Sequence, residues 1–322
     1  NGAVKKRLET KGHPLKHISL EVMFNNLQPF VWAKTIYLVV FLLFLFSFII
    51  PSPKYRSFVF KLLVTGFVFH TIGLISRMVI LSRPPVSNLY ETFIFVGFIS
   101  LVAGLIIEAF HKKWLGIVTA SLSGYVFLTI ASKFANDGDT MQMLIAVLNS
   151  NFWLATHVTS ITIGYSGVCV AGVVGHIYLL QRIFKPHDQA LLKSTFAVLI
   201  GALGFGLTMA FLGTNLGGIW ADQSWGRFWG WDPKEYGALL IILWTALLFH
   251  LRVGRLIDEV DLAVGAAMGI VVVMWAWFGV NLLSIGLHSY GFTSGLAVNL
   301  AIYFTFQVLF LIIVYPLAKA KM

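Results

Sequence analysis

Cysteine is nearly absent from this chain. Its 322 residues contain a single one, Cys169, set inside an apolar run as a small core residue. That excludes an intrachain disulfide, a paired-cysteine metal site and any Cys-x-x-Cys-His sequence for covalent haem attachment. Charge is scarce as well. Charged residues make up 11% of the chain against 58% hydrophobic, and the mean hydropathy is +0.85. So little charge cannot clothe the surface of a soluble domain. Acidic residues are the scarcer sign, 13 against 23 basic, for a net +10. Internal repeats and low-complexity tracts are missing, and so is a signal peptide, since the first apolar run is of spanning length and no small-residue cleavage site follows it.

Long apolar runs take the place of these features. They read as spans near 31–50, 58–81, 92–110, 115–132, 152–180, 196–215, 236–254, 262–285 and 296–317. Each is long enough to carry a helix across ~30 Å of hydrocarbon. The fold class is therefore an all-α polytopic integral membrane protein with about nine transmembrane helices. The excess of positive charge does not point to nucleic acid, because most of it lies in short connectors. Lys54 and Arg56, Lys112 and Lys113, Arg182 with Lys185 and Lys193, Arg252 and Arg255, and Lys319 with Lys321 occupy alternate ones. The positive-inside rule makes that set cytoplasmic and the cation-poor set external, with the C-terminus inside. Residues 1–30 are a polar, basic arm (Lys5, Lys6, Arg7, Lys11, Lys16) on the external side, read as the tail of an upstream extracytoplasmic region.

One external connector is unlike the rest. Trp225-Gly226-Arg227-Phe228-Trp229-Gly230-Trp231-Asp232-Pro233-Lys234-Glu235 packs three tryptophans into seven positions, with Trp220 just upstream. Such a segment, taken as 216–236, is too charged for lipid and too rich in indole for an ordinary loop. It describes a platform of flat aromatic faces at the membrane surface. Part of it has a local role: Asp232 as N-cap, Pro233 at the first helical position and Glu235 three residues on describe a helix start. Asn88 and Glu91 form a similar capping pair.

Histidines supply the candidate ligands. His13, His17, His111 and His187 lie in the arm or connectors and read as solvated. An ionisable group at membrane depth is a functional candidate by default, which selects His70, His157, His176, His250 and His288. At ~1.5 Å per residue, His157 and His288 reach the same external level, on either side in sequence of the tryptophan segment. His250 lies roughly 20 Å below the external surface, and His70 can share its layer. His176 is near the cytoplasmic end of its span. Two imidazoles flanking an indole shelf suit a planar metal macrocycle, with Arg227 or Lys234 available to anionic propionates. An aromatic belt of the ordinary interfacial kind is the competing reading, but it does not require three tryptophans so closely set among polar neighbours.

The pattern Trp-Gly-x-x-Trp-x-Trp-Asp-Pro-Lys-Glu resembles the signature of the haem-handling membrane proteins named for their tryptophan-rich WWD domain. Within them the chain most resembles the CcsA (ResC) family of System II cytochrome c biogenesis. Pro85-Val86-Ser87-Asn88-Leu89-Tyr90-Glu91 is similar to that family's first external loop. Trp153-Leu154-Ala155-Thr156-His157-Val158 and Gly286-Leu287-His288-Ser289-Tyr290-Gly291-Phe292 are similar to the segments around its two external histidines. The resemblance implies that haem b sits on the shelf formed by Trp220, Trp225, Trp229 and Trp231, near Asp232 and Arg227, with His157 and His288 as axial ligands of the iron. It also implies a second haem position in the membrane at His250. The family assigns that histidine's partner to a CcsB portion, fused upstream or separate, so His70 is set between ligand and a histidine satisfied by a neighbouring span. The expected activity is that of a cytochrome c synthase (haem lyase), which moves haem across a bacterial cytoplasmic membrane and presents it for thioether attachment to a CxxCH apocytochrome c. Its implied partners are a CcsB-like protein, the apocytochrome and thiol-reducing thioredoxin-like proteins. The alternative is a haem exporter or carrier that serves a separate ligase.

Overall fold

The computed structural model describes residues 17–135, 140–141, 150–283, 285–288 and 295–322. The parts of the basic arm before residue 17, and Ser289 to Phe292, lie outside the described residues. Among those described there is helix throughout and no strand. Helices α1 (Ile18–Leu27) and α2 (Pro29–Phe46) form one near-continuous rod, interrupted at Gln28. Helices α3 (Pro53–Leu81), α4 (Leu89–His111) and α5 (Leu115–Ala135) follow. The rod α6 (Asn151–Phe184) contains a π-helical turn, Leu154–Val158. Beyond it come α7 (Gln189–Trp225), α8 (Pro233–Val253), α9 (Glu259–Trp277), a 3₁₀ turn (Gly279–Leu283) and α10 (Leu296–Lys319). Nine helical segments among the described residues are long and apolar enough to cross a membrane. Because the spans alternate in direction, the tryptophan segment shares one end of the bundle with residues 82–88 and 285–288. The connectors bearing Lys112, Lys113, Lys185 and Arg255 share the other.

Helix α6 is the hub. Its most apolar stretch is 72% buried, against 28% for α7 and for α8, so α6 is enclosed while α7 and α8 keep broad faces toward lipid. It packs against α4, α5, α7, α9 and α10. Association inside a bilayer relies on close packing of small residues rather than on the hydrophobic effect, and α6 and α7 follow that rule. A Cβ on Gly164 would stand 2.6 Å from the Ala210 nitrogen, and one on Gly213 would stand 2.6 Å from that of Ile161. The small positions Gly206, Ala210, Gly213 and Gly217 recur at helical spacing along α7 and hold the two backbones together.

Helix α7 is longer than the apolar run predicts. Thirty-seven residues rise about 55 Å, well beyond ~30 Å of hydrocarbon. The excess falls at both ends, the larger part at the tryptophan end, so Trp220 and Trp225 stand on the last turns of a helix and not in a loop. Gly226, at φ 69°, closes that helix in the left-handed conformation that glycine adopts without a steric penalty. The arm also differs from the expectation, since Ile18–Leu27 is helical and packs on α3. Beneath the tryptophan end the core is aromatic. Phe93 stacks on Trp277, Phe278 and Phe134 at centroid distances of 4.6, 5.0 and 5.4 Å.

Candidate functional site

The shelf begins where α7 emerges. From there the chain turns at Gly226, runs through Trp231 at φ 56° and starts α8 at Asp232. A left-handed φ is uncommon for a bulky residue. Here it throws the Trp231 indole outward, 58% exposed, while the next side chain turns inward. Asp232 and Glu235 close a full capping box. Glu235 Oε2 accepts from the Gly230 and Asp232 amides at 2.8 and 3.1 Å, and its Oε1 lies 3.6 Å from Arg227. The loop's backbone is thus fixed by the helix it precedes. Lys234 reaches down to donate to the Trp277 carbonyl and fastens the shelf to the aromatic stack below. Of the two cations expected to face propionates, Lys234 is therefore engaged beneath the shelf, and Arg227 pairs with Glu235 while keeping about a third of its side chain exposed.

His157 sits on the π-helical turn of α6. Its Nδ1 donates to the Gly213 carbonyl at 2.8 Å, which sets the tautomer and places the lone pair on Nε2. Gly217 makes the slot, since a Cβ there would lie 2.5 Å from the ring. Trp220 meets this imidazole edge to face at 5.8 Å and lies parallel to Trp153 at 6.2 Å. The Trp153 Nε1 donates to Gln223 at 3.0 Å.

His288 approaches from the 284–295 connector. Its ring stands perpendicular to Trp225, with centroids 4.9 Å apart. Its Nδ1 lies 3.2 Å from Asp232 Oδ1, and its amide points at Oδ2 from 3.4 Å. Gly286, at φ 91°, lets the backbone come in against that carboxylate. Burial pushes the His288 imidazole below its usual pKa, partly offset by Asp232, so the ring is neutral at neutral pH. Neutral imidazole is the form that binds iron. The end of α7 thus brings His157 and His288 to one indole platform, Trp220 beside His157 and Trp225 beside His288. Trp229 and Trp231 pack edge to face at 5.8 Å further along.

The other histidines are elsewhere. His250 is exposed near the far end of α8, its Nδ1 bonded back to the Ala246 carbonyl at 2.7 Å. His70 is fully buried in α3, where Nε2 donates to the Ile94 carbonyl at 3.0 Å and Nδ1 faces the Tyr37 hydroxyl at 3.3 Å. Both nitrogens are taken, and α3 and α8 pack on different neighbours. As placed, His70 offers iron nothing. Replacing it with leucine is expected to leave a haem spectrum unchanged while lowering stability by about 1–3 kcal/mol, as the Ile94 carbonyl loses its donor. Thermal denaturation in detergent beside an absorption spectrum checks both halves. His176 is also engaged, donating to the Gly172 carbonyl and paired with Gln307. It borders a cavity of about 1630 Å³ whose lining reaches Lys112, Lys113 and Lys185 and includes none of His70, His157, His250 or His288.

Three contributors were not selected from the sequence: Trp153, Gly213 and Gly217. A signal existed for the first, because Trp153 and His157 are one helical turn apart. The glycines act through α7 from some 56 residues away, and no local pattern marks them.

The family model for cytochrome C assembly proteins matches residues 86–288. The chain belongs to that family. The matched region holds His157, the tryptophan segment, His250 and His288, while His70 falls outside it. Among curated proteins, the chain is 32% identical over 285 residues to protein NrfI of Wolinella succinogenes; the match covers 85% of this chain but 31% of that protein. It is 29% identical over 311 residues to the cytochrome c biogenesis protein CcsA of Welwitschia mirabilis, covering 86% of this chain and 97% of that one. To CcsA of Chlamydomonas reinhardtii it is 31% identical over 217 residues, covering 65% and 61%. The protein is thus a CcsA-type cytochrome c biogenesis protein. Membership of a cytochrome c assembly family implies haem handling.

Proposed function

We propose that this CcsA-type protein is the haem-presenting core of a cytochrome c synthase, with haem b as the substrate held on the tryptophan platform. The observation that carries the proposal is the pair of imidazoles at one platform. His157 Nδ1 is bonded to the Gly213 carbonyl and His288 Nδ1 lies 3.2 Å from Asp232 Oδ1, and the proposal assigns Nε2 of each ring to iron. The indoles of Trp220, Trp225, Trp229 and Trp231 flank the porphyrin, and Arg227 is the cation nearest the surface for a propionate.

No nucleophile or acid–base pair from this chain is required. A CxxCH apocytochrome docks at the platform, and its histidine replaces one axial imidazole. Each thiol then adds across a vinyl group: sulfur bonds the inner carbon, the thiol hydrogen goes to the terminal carbon, and no net electrons move. The protein's share is proximity and orientation, while haem and thiols supply the chemistry. Thioredoxin-like proteins keep the thiols reduced. The positive-inside rule sets the platform on the extracytoplasmic face of a bacterial cytoplasmic membrane, with the C-terminus cytoplasmic. His250, exposed on an apolar helix, takes haem in transit, with its second ligand from a CcsB-like partner.

Co-expression with a CxxCH apocytochrome and the CcsB-like partner, in a host lacking its own pathway, tests the reading. Covalent haem on the cytochrome is the expected result. Haem retained on this protein with no covalent product would instead assign it as a carrier for a separate ligase.

A further inference from the structure

The two candidate axial imidazoles are supported by unlike groups. His157 Nδ1 donates to a neutral peptide carbonyl, that of Gly213. His288 Nδ1 faces the carboxylate of Asp232, whose side chain is 1% exposed. An anionic acceptor draws the Nδ1 proton more strongly and makes Nε2 the better donor to a metal. Loss of such a partner typically costs 10–100-fold in metal affinity. Asp232 also lies against both the ring and the backbone amide of His288, whereas Gly213 meets only the ring of its counterpart. One carboxylate starts α8 by accepting from the Lys234 amide, faces the His288 amide and faces the His288 ring. Any motion of His288 away from the platform must therefore give up contacts to a carboxylate fixed in a helix N-cap.

We propose that Asp232 is a positioning residue that makes His288 the retained axial ligand and His157 the ligand that yields to the incoming cytochrome histidine. This rests on the bis-histidine reading of the platform and adds to it an order of exchange. At exchange one iron–nitrogen bond, to His157, breaks as another forms to the cytochrome imidazole. The released His157 returns as a neutral ring still bonded to Gly213. The iron keeps its oxidation state and its six ligands. Contact with His288 carries the substrate through the step, so haem is never without a protein ligand.

Asp232→Asn separates this role from helix capping, because asparagine is as good an N-cap as aspartate. The haem-loaded variant, in the full protein, is expected to keep its low-spin bis-histidine spectrum. Its midpoint potential should shift positive, since a weaker donor favours ferric iron less. A tenfold change in the ferric-to-ferrous affinity ratio corresponds to ~59 mV. An unmoved potential in a low-spin variant would overturn the proposal. A second arm supplies excess haem together with a CxxCH peptide, its thiols blocked, to the His157→Ala and His288→Ala proteins. The peptide's histidine should restore a six-coordinate low-spin spectrum in His157→Ala and leave His288→Ala unrestored. The reverse outcome, or equal restoration in both, would sink the order of exchange while leaving the ligand pair intact. Spectra identical to wild type in both alanine variants before peptide is added would instead remove the underlying reading.

Discussion

Alanine at His157 or at His288 is expected to strip the platform of low-spin haem and reduce covalent cytochrome product below detection. Each change removes a metal–nitrogen bond outright. The loss should exceed the upper end of the range for removing a mere supporting partner, so a fall in haem retention of about 100-fold or more is anticipated. Folding should survive in both cases. His157 is half-buried near one end of a rod whose packing against α7 continues through Gly164, Gly167 and Gly206, beyond the reach of the change. His288 lies in a connector, outside the bundle core. Two measurements separate ligation from damage: the absorption spectrum of purified protein, and its recovery when imidazole is supplied to the His157→Gly or His288→Gly protein. Slots left by glycine have room for the small ring, and Gly217 already opens the wall beside one of them. Failure of both changes to alter the spectrum would disqualify these residues as ligands.

Much of this arrangement is legible in the sequence because the bilayer writes in simple terms. Span length, cation asymmetry and the cost of ionisable groups at depth give nine helices and a short set of histidines. The start of α8 is legible for a different reason. A capping box is local, so Asp232, Pro233 and Glu235 announce it within four residues. What stayed illegible depends on distant partners. Lys234 looks like a surface cation until the Trp277 carbonyl, 43 residues on, is known to accept from it. His70 stands open between ligand and satisfied core histidine in the sequence, which cannot show that Tyr37 and Ile94 lie against its two nitrogens. The true end of α7 escaped because hydropathy stops where the helix leaves lipid, whereas backbone hydrogen bonding does not. Hence Trp220 and Trp225 were expected in a loop, although their position on a rigid helix end is what presents them to two histidines at once.

The largest loss of stability is expected at a pair outside the platform, Arg77 and Glu91. Their side chains are 1% and 0% exposed, and Arg77 Nη2 lies 2.8 Å from Glu91 Oε1. The other carboxylate oxygen accepts from the Ser87 amide and hydroxyl, so Glu91 ties down the 82–88 connector. Arg77 also donates to the Thr140 hydroxyl and carbonyl, at 3.2 and 2.8 Å, and thereby fastens the chain that leads from α5 toward α6 and His157. Asn88 caps α4 through the Glu91 amide, as its position suggests, but the Glu91 carboxylate serves Arg77 rather than returning to the cap. Glu91→Ala strands a guanidinium with no water to turn to, and a cost of about 3–5 kcal/mol follows. Arg77→Leu should cost a similar amount by stranding the carboxylate. The double change Arg77→Leu with Glu91→Leu should cost much less than the sum of the two, because a buried ion pair exchanged for apolar side chains is often close to neutral. A double-mutant cycle by thermal or denaturant unfolding in detergent measures that coupling, and additive losses would show that the pair does not act as a unit. The apolar pair nonetheless cannot hold Thr140. If this network also sets the approach to His157, the double variant should recover its stability and still show a perturbed haem spectrum.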